Sequence, residues 1–149
     1  MIKINIITIS LILFLTNCGF SPIYYNNMNI NFSIEEVDYT GDRELNNFLR
    51  INLDKYKSEE INNKIFIEAE SKYEKNILSK DSTGKVTSYQ LEAQVIFLIK
   101  SNNKKIKITE KKIIDSMDDK FEEARREKSV KKSFASSISN KIVSKLTIN

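Results

Sequence analysis

Residues 65–99 read IFIEAESKYEKNILSKDSTGKVTSYQLEAQVIFLI, and two alternating patterns within this stretch decide the fold. In the first, Ile65 to Tyr73, every second residue forms one face of a strand, and in the second, Thr87 to Ile99, the same period recurs. Because successive side chains of a strand point to opposite faces, each pattern predicts a half-buried β-strand. Between them, the five residues Lys80 to Gly84 predict a hairpin loop, in which Gly84 is free to adopt a positive φ.

This hairpin predicts a register in which Ile65 lies opposite Ile99 and Ala69 lies opposite Val95. The register buries all the apolar positions of one face together, whereas a slip of one residue would bury charged side chains instead. We therefore expect this face to meet the core.

The other face of the predicted hairpin is polar except for three residues. The same register puts Phe66 beside Leu98, with Ile96 one step along the strand. An apolar patch on the solvent side of a sheet predicts a contact surface for a partner. Cover by a loop or by residues 20–30 is the alternative explanation.

The residues before the hairpin predict a strand and a helix. Ile30, Phe32 and Ile34 alternate with polar residues, which indicates a first strand over Ile30 to Val37. Asp42 then suits a helix start, and the helix should end near Lys57-Ser58. Its apolar residues fall on one face at helical spacing: Leu45, Phe48, Leu49, Leu53 and Tyr56.

The residues after the hairpin predict a further strand and a long helix. Asn102-Asn103 suits a two-residue turn, after which Ile106, Ile108 and Ile114 point inward. Glu110 and Lys112 interrupt this pattern, so that either a bulge intervenes or the strand outruns the core. The final helix should run from Lys120 to Leu146 with Asp118 as its N-cap. Its apolar stripe runs back to Lys131 and Lys128, whose ammonium groups we expect to reach water, and then to Ala124 and Phe121.

Together these elements give the order β-α-β-β-β-α. Two amphipathic helices need a sheet face to cover, which predicts an α+β two-layer sandwich. Both helices should pack on one face of a largely antiparallel four-stranded sheet. We expect residues 30–149 to form this single domain.

The first residues, MIKINIITISLILFLTNCGF, have the layout of a bacterial lipoprotein signal. Lys3 supplies the positive start, a mostly apolar run from Ile4 to Leu15 follows, and Cys18 is the only cysteine in the chain. The run is shorter than a membrane-spanning helix. We therefore predict a signal peptide over residues 1–17, lipidation of Cys18, and a tether over residues 18–29. An ordinary secretion signal with an incidental cysteine is the alternative.

The composition argues against catalysis. The 149 residues carry a net charge of +4 and include no histidine. Cys/His metal sites and nucleophile systems that need histidine are therefore excluded, and we expect a non-enzyme without metal or cofactor. Adjacent carboxylates on a strand point to opposite faces, so the acidic doublets do not converge on one substrate. Residues 120–149 hold eight basic and three acidic residues, but an export signal argues against nucleic-acid binding.

Two short motifs carry a family resemblance. The sequence Cys18-Gly19-Phe20-Ser21-Pro22-Ile23-Tyr24 resembles the start of the LPS-assembly lipoprotein LptE family. The run FEEARRE over residues 121–127 is similar to the opening of that family's last helix. The resemblance implies a lipoprotein of the outer membrane, with its domain on the periplasmic side, that plugs and helps to assemble the LptD β-barrel. It also implies assistance in delivering lipopolysaccharide to the outer leaflet.

Two sets of site residues follow as hypotheses from this role. Lys80 and Lys85 flank the hairpin tip and could bind lipopolysaccharide phosphates, and Phe66, Ile96 and Leu98 could contact the barrel wall. The alternative function is that of a lipid-binding accessory lipoprotein of an ABC-type transporter. Such a protein would share the anchor and fold class but expose an apolar groove.

Overall fold

The structure, a computed structural model, describes residues 30–147 of the chain. The predicted signal peptide, the predicted tether and the predicted lipidation site at Cys18 lie outside the described residues. Within residues 30–147 the element order is the predicted β-α-β-β-β-α, with the last helix one residue longer than expected. The elements are β1 (Ser33–Gly41), α1 (Arg43–Leu53), a 3-10 turn (Asp54–Tyr56), β2 (Lys64–Lys80), β3 (Val86–Ile99), β4 (Lys104–Asp115) and α2 (Lys120–Thr147).

The four strands form one open sheet in the order β1-β2-β3-β4. Strand β1 runs parallel to β2, and the other neighbouring pairs are antiparallel. Both helices pack on one face, which confirms the predicted α+β fold. Because β1 ends at Gly41 opposite Ser71, no strand of residues 30–147 lies beside the second half of β2 on that side.

The hairpin register differs from the predicted one by two residues. Ile67 lies opposite Ile99 and Ala69 lies opposite Phe97, because the loop begins at Asp81 rather than Lys80. The Asp81 carboxylate accepts hydrogen bonds from the backbone N–H groups of Thr83 and Lys85, at 2.9 and 3.0 Å. A loop displaced by one residue shifts the pairing by two, so every side chain keeps its predicted face.

Strand β1 begins and ends later than predicted, at Ser33 and Gly41 instead of Ile30 and Val37. Ile30, Phe32 and Ile34 contact the core as expected, and a bulge between Ile34 and Glu36 then moves the core-facing positions from even to odd numbers. Phe32 is buried just before the strand rather than within it.

In strand β4, neither expected explanation for Glu110 and Lys112, a bulge or a strand that outruns the core, is correct. Its pairing with β3 is continuous, and the connecting loop has four residues, 100–103, instead of two. Glu110 points inward and accepts hydrogen bonds from Ser137 and Lys141 of α2. A polar residue on the core face is thus paired with the helix that covers it.

The helix starts were predicted with mixed success. Asp42 caps α1 as expected, since its carboxylate accepts a hydrogen bond from the Leu45 N–H at 2.7 Å. Helix α2 is capped by Asp119 rather than Asp118, because Asp119 accepts from the N–H groups of Phe121 and Glu122. The fully buried side chains between the helices and the sheet include Leu45, Leu49, Ile67, Leu91, Val95, Phe97, Ile138 and Ile142.

Candidate functional site

The sheet face opposite the helices is the candidate partner-binding surface, and we call it the outer face. It carries the predicted contact residues: Phe66 is 40% exposed, and Ile96 and Leu98 are half-buried. The observed register places Leu98 opposite Glu68 and Ile96 opposite Glu70. Phe66 therefore lies diagonally from Leu98 rather than beside it.

Charged residues flank these apolar side chains on both sides of the outer face. Across the sheet, each of the two central rows has a glutamate on β2, an apolar residue on β3 and a lysine on β4, and one row begins with a further carboxylate on β1. The rows are Asp38-Glu68-Leu98-Lys105 and Thr40-Glu70-Ile96-Lys107. A partner with an apolar centre and charges of the opposite arrangement would be complementary to this surface.

The predicted phosphate-binding lysines lie at the far end of the hairpin, away from the Phe66 end of the sheet. Lys80 ends β2 and is exposed. Lys85 lies in the loop, where its ammonium group forms an ion pair of 2.7 Å with Asp118. This hydrogen bond raises the pKa of Lys85 and lowers the pKa of Asp118. Part of the Lys85 charge is therefore already balanced, and the two lysines and the apolar patch form separate sites.

The sequence reasoning missed a partly buried ionic cluster formed by Lys75, Glu123 and Glu127. The Lys75 ammonium on β2 lies 2.9 Å from a carboxylate oxygen of Glu123 and 2.9 Å from one of Glu127, both on α2. Glu123 is only 4% exposed. The backbone N–H of Met117, followed by Lys75 and Lys120, overcomes the effect of burial and lowers the pKa of Glu123 to about 2. The cluster holds the start of α2 against the sheet.

Lys131 was predicted to lift its ammonium group into water, and this was wrong. The residue is 7% exposed, its ammonium group lies 3.0 Å from a Glu44 carboxylate oxygen, and it sits 4.0 Å from the centroid of the Tyr73 ring. The Tyr73 hydroxyl in turn donates a hydrogen bond to Glu127. Lys128 keeps its exposed position. The partners of Lys131 come from α1 and β2, so no local pattern reveals them.

The surfaces described above consist of ammonium, carboxylate and apolar groups. The charged groups can bind a partner by ion pairing, and the apolar groups by hydrophobic contact. Within residues 30–147, no group of three or more His, Cys, Asp or Glu is arranged to hold a metal ion. No helix in the same part of the chain is long and apolar enough to cross a membrane.

Solved structures of three bacterial lipoproteins share this fold. Rare lipoprotein B from Shewanella oneidensis is 14% identical, with a TM-score of 0.55 over 77% of this chain and 92% of that protein. An uncharacterized lipoprotein B from Nitrosomonas europaea is 17% identical, with a TM-score of 0.55 over 79% and 86%. A minor lipoprotein from Acinetobacter baumannii is 15% identical, with a TM-score of 0.57 over 82% and 96%. No family model and no curated protein sequence matches this chain. At these identities the likeness establishes the fold, which this chain shares with those lipoproteins along most of its length.

Proposed function

We propose that this protein is a lipid-anchored outer-membrane lipoprotein that plugs and helps to assemble an LptD-like β-barrel and assists the delivery of lipopolysaccharide. The observation that carries the proposal is the shared fold, which covers 86 to 96% of the three solved lipoproteins. The name rare lipoprotein B fits the LptE family, which the motifs at residues 18–24 and 121–127 resemble.

The outer face supports the part of the proposal that concerns the barrel. A plug needs a surface that its barrel can cover, and the helices leave this sheet face open to a partner. Phe66, Ile96 and Leu98 would contact the barrel wall, and the flanking charges would set the orientation of the plug.

Replacement of Phe66 by aspartate tests this contact. Because Phe66 is 40% exposed, the F66D variant should fold normally but recover much less of the barrel when it is purified from outer membranes. The matched control is Phe121→Asp, which places the same charge at a phenylalanine that is 71% exposed on α2. Normal recovery of the barrel with F66D, or an equal loss with F121D, would refute the proposed contact.

The proposed binding of lipopolysaccharide is tested with variants of the two lysines at the hairpin tip. We expect the double variant Lys80→Ala/Lys85→Ala to bind lipopolysaccharide more weakly, since phosphates bind lysine ammonium groups as point charges. The control, Lys55→Ala/Lys132→Ala, removes the same charge from two other exposed positions. Unchanged binding by the first variant would remove these two lysines from the proposal.

The identity of the membrane partner separates this function from its alternative. In a pull-down from whole envelopes with the lipidated chain, recovery of a large outer-membrane β-barrel supports the plug. Recovery of inner-membrane transporter subunits alone would overturn it in favour of the accessory lipoprotein of an ABC-type transporter.

A further inference from the structure

Strand β4 is the last strand of the sheet, and one of its two edges is open. Among residues 30–147, no strand pairs with β4 on the side away from β3. The strand has 12 residues, from Lys104 to Asp115, and its pairing with β3 is continuous. A long and regular edge of this kind presents a row of backbone donors and acceptors with which a further strand can pair.

The register of the sheet shows which backbone groups reach this open edge. The Ser116 N–H donates to the Thr87 carbonyl oxygen at 2.9 Å, which continues the ladder between β3 and β4 by one pair. Because the bonds of an antiparallel ladder alternate, the even-numbered residues 106–114 bond to β3. The N–H and C=O groups of the odd-numbered residues therefore point to the open edge. These residues are Lys105, Lys107, Thr109, Lys111, Ile113 and Asp115.

Lysines give the open edge a positive charge. Strand β4 contains five lysines and two acidic residues, and one of the acidic residues, Glu110, is paired with Lys141 of α2. Lys105 and Lys107 are exposed on the outer face, directly beside the open edge. In a sheet, side chains at directly opposite positions lie about 5 Å apart, and opposite charges there attract while like charges repel. The lysines therefore favour an added strand with carboxylates at alternate positions.

A second copy of the chain fits the open edge less well. Pairing of β4 with itself would bring the lysines of two strands together, which is unfavourable. Strand β1 is acidic, but its carboxylates are already engaged: Glu35 pairs with Lys64 at 3.0 Å, and Asp38 pairs with Lys100 at 2.7 Å. Residues 18–29 of the same chain contain no acidic residue. The charge of the edge thus favours a segment of another protein.

We propose that the open edge of β4 binds an extended acidic segment of a partner protein, which joins the sheet as a fifth strand. Hydrogen bonds to the odd-numbered backbone groups would provide affinity, and carboxylates opposite Lys105 and Lys107 would provide selectivity. Lysines on an edge strand also oppose pairing with strands that lack complementary charge, so the same side chains would exclude other partners. The proposal does not depend on the proposed function.

The test uses the full chain in non-ionic detergent and an excess of a synthetic peptide in which glutamate and valine alternate over about seven residues. Amide hydrogen exchange followed by NMR reports on each residue of β4. Binding should protect the odd-numbered amides from Lys105 to Ile113 at least about tenfold, since exchange then requires the added strand to leave. The even-numbered amides already bond to β3 and should change little. Equal changes in the two sets, or none, would overturn the proposal.

Two control peptides separate strand addition from simple attraction between charges. The same peptide with all its backbone nitrogens methylated keeps its charge but cannot donate to a ladder, so it should give no protection. A peptide in which lysine and valine alternate can form a ladder but repels the edge, so it should bind at least about tenfold more weakly. Protection by the methylated peptide would reduce the interaction to charge attraction and overturn strand addition. Equal protection by the lysine peptide would overturn the acidic partner.

Variants of the chain test the two named lysines. The double variant Lys105→Glu/Lys107→Glu should weaken binding of the acidic peptide at least about tenfold, because two attractive pairs become repulsive. The control Lys55→Glu/Lys132→Glu reverses the same charge at other exposed positions and should bind normally. An equal loss in both would overturn the site.

Two further measurements separate the open edge from the proposed barrel contact and from a second copy of the chain. Phe66→Asp should leave peptide binding unchanged, so that failure of the barrel contact and failure of this proposal are distinguishable. Sedimentation of the chain alone detects self-association, and a dimer that the acidic peptide dissociates would show that a second copy occupies the edge and would overturn the proposal.

Discussion

Glu123 shows how far the role of one acidic side chain can depart from its sequence context. In the sequence it belongs to an ordinary acidic doublet with Glu122, which suggests a solvated charge. In the structure its carboxylate accepts hydrogen bonds from the Met117 N–H and from the ammonium groups of Lys75 and Lys120. Lys75 lies 48 residues away in the chain, so helical periodicity alone cannot distinguish Glu123 from its neighbour.

We expect Glu123→Gln to lower the free energy of unfolding by about 2 kcal/mol at neutral pH, because it removes the charge that holds these donors. Chemical denaturation measures the loss. The control Glu122→Gln affects a carboxylate that is 45% exposed and pairs with Arg125, so it should cost less than about 0.5 kcal/mol. Equal losses in the two variants would contradict a special role for Glu123.

The same residue predicts a pH dependence. The pKa of Glu123 is lowered from 4.5 to about 2 in the folded state, so folding stabilises the charged form. Its contribution is therefore complete above the unfolded pKa and is lost as the pH falls from about 4.5 towards 2. Unfolding curves measured across this pH range should show that the free energy of unfolding falls less for Glu123→Gln than for the original chain. An identical decline would argue against the lowered pKa.

Among residues 30–147, the two glycines have a positive φ and provide a matched pair at the residue scale. Gly41 has a φ of +95°, and a Cβ there would clash with the Ser71 carbonyl oxygen, whereas a Cβ at Gly84 would meet nothing within 4 Å. Gly84→Ala should cost about 1–2 kcal/mol for the backbone conformation alone. Gly41→Ala must also push β1 away from β2, so its loss of stability should be clearly larger. Similar midpoints of denaturation for the two variants would contradict this account.

At the scale of elements, prediction from the sequence succeeded where burial of one face alone determines the alternation of apolar and polar residues. Strand β3 alternates as expected because both its neighbours are strands and one face meets the core. The register of the hairpin was missed because Asp81 organises the loop through its own side chain. The two candidate sets of surface residues, at Phe66 and at Lys80, remain predictions, whereas the ionic cluster of Lys75 with Glu123 and Glu127 depends on contacts between elements that are distant in the sequence.

Helix α2 was misjudged in its first half for the same reason. Its second half packs through buried apolar residues such as Phe134 and Ile138, but its first half contacts the sheet through Glu123 and Glu127. Phe121, which the apolar stripe placed on the core face, is instead 71% exposed. Ion pairs to Lys75 thus replaced the hydrophobic contacts that the periodicity suggested.

This difference between the two halves of α2 predicts very different losses of stability when two of its phenylalanines are replaced by alanine. Phe134→Ala should lower the free energy of unfolding by about 3–5 kcal/mol, because the side chain is 5% exposed and its removal leaves a cavity. Phe121→Ala should change it by less than about 0.5 kcal/mol. Thermal or chemical denaturation of both variants provides the measurement, and a large loss at Phe121 would contradict the observed exposure.

For the whole molecule, the core and the proposed membrane anchor are separate parts of the chain. The buried hydrophobic cluster of the described residues extends from Phe32 to Val143, so we expect the domain to fold without the lipid on Cys18. We expect Cys18→Ala to give a folded protein that is released from membranes. Membrane fractionation would test the release of the variant, and circular dichroism would test whether it is folded. A variant that stays in the membrane would contradict lipidation at this residue, and one that does not fold would contradict the separation.

The parallel pairing of β1 and β2 sets the two ends of the molecule apart. The chain enters the sheet at Ser33 opposite Lys64, and β2 then extends for 17 residues before the hairpin turns. At about 3.3 Å per residue, the hairpin tip stands about 50 Å from that entry point. In the barrel plug that we propose, the sheet would therefore hold the hairpin tip, with Lys80 and Lys85, about 50 Å from the end of the domain that follows the predicted tether.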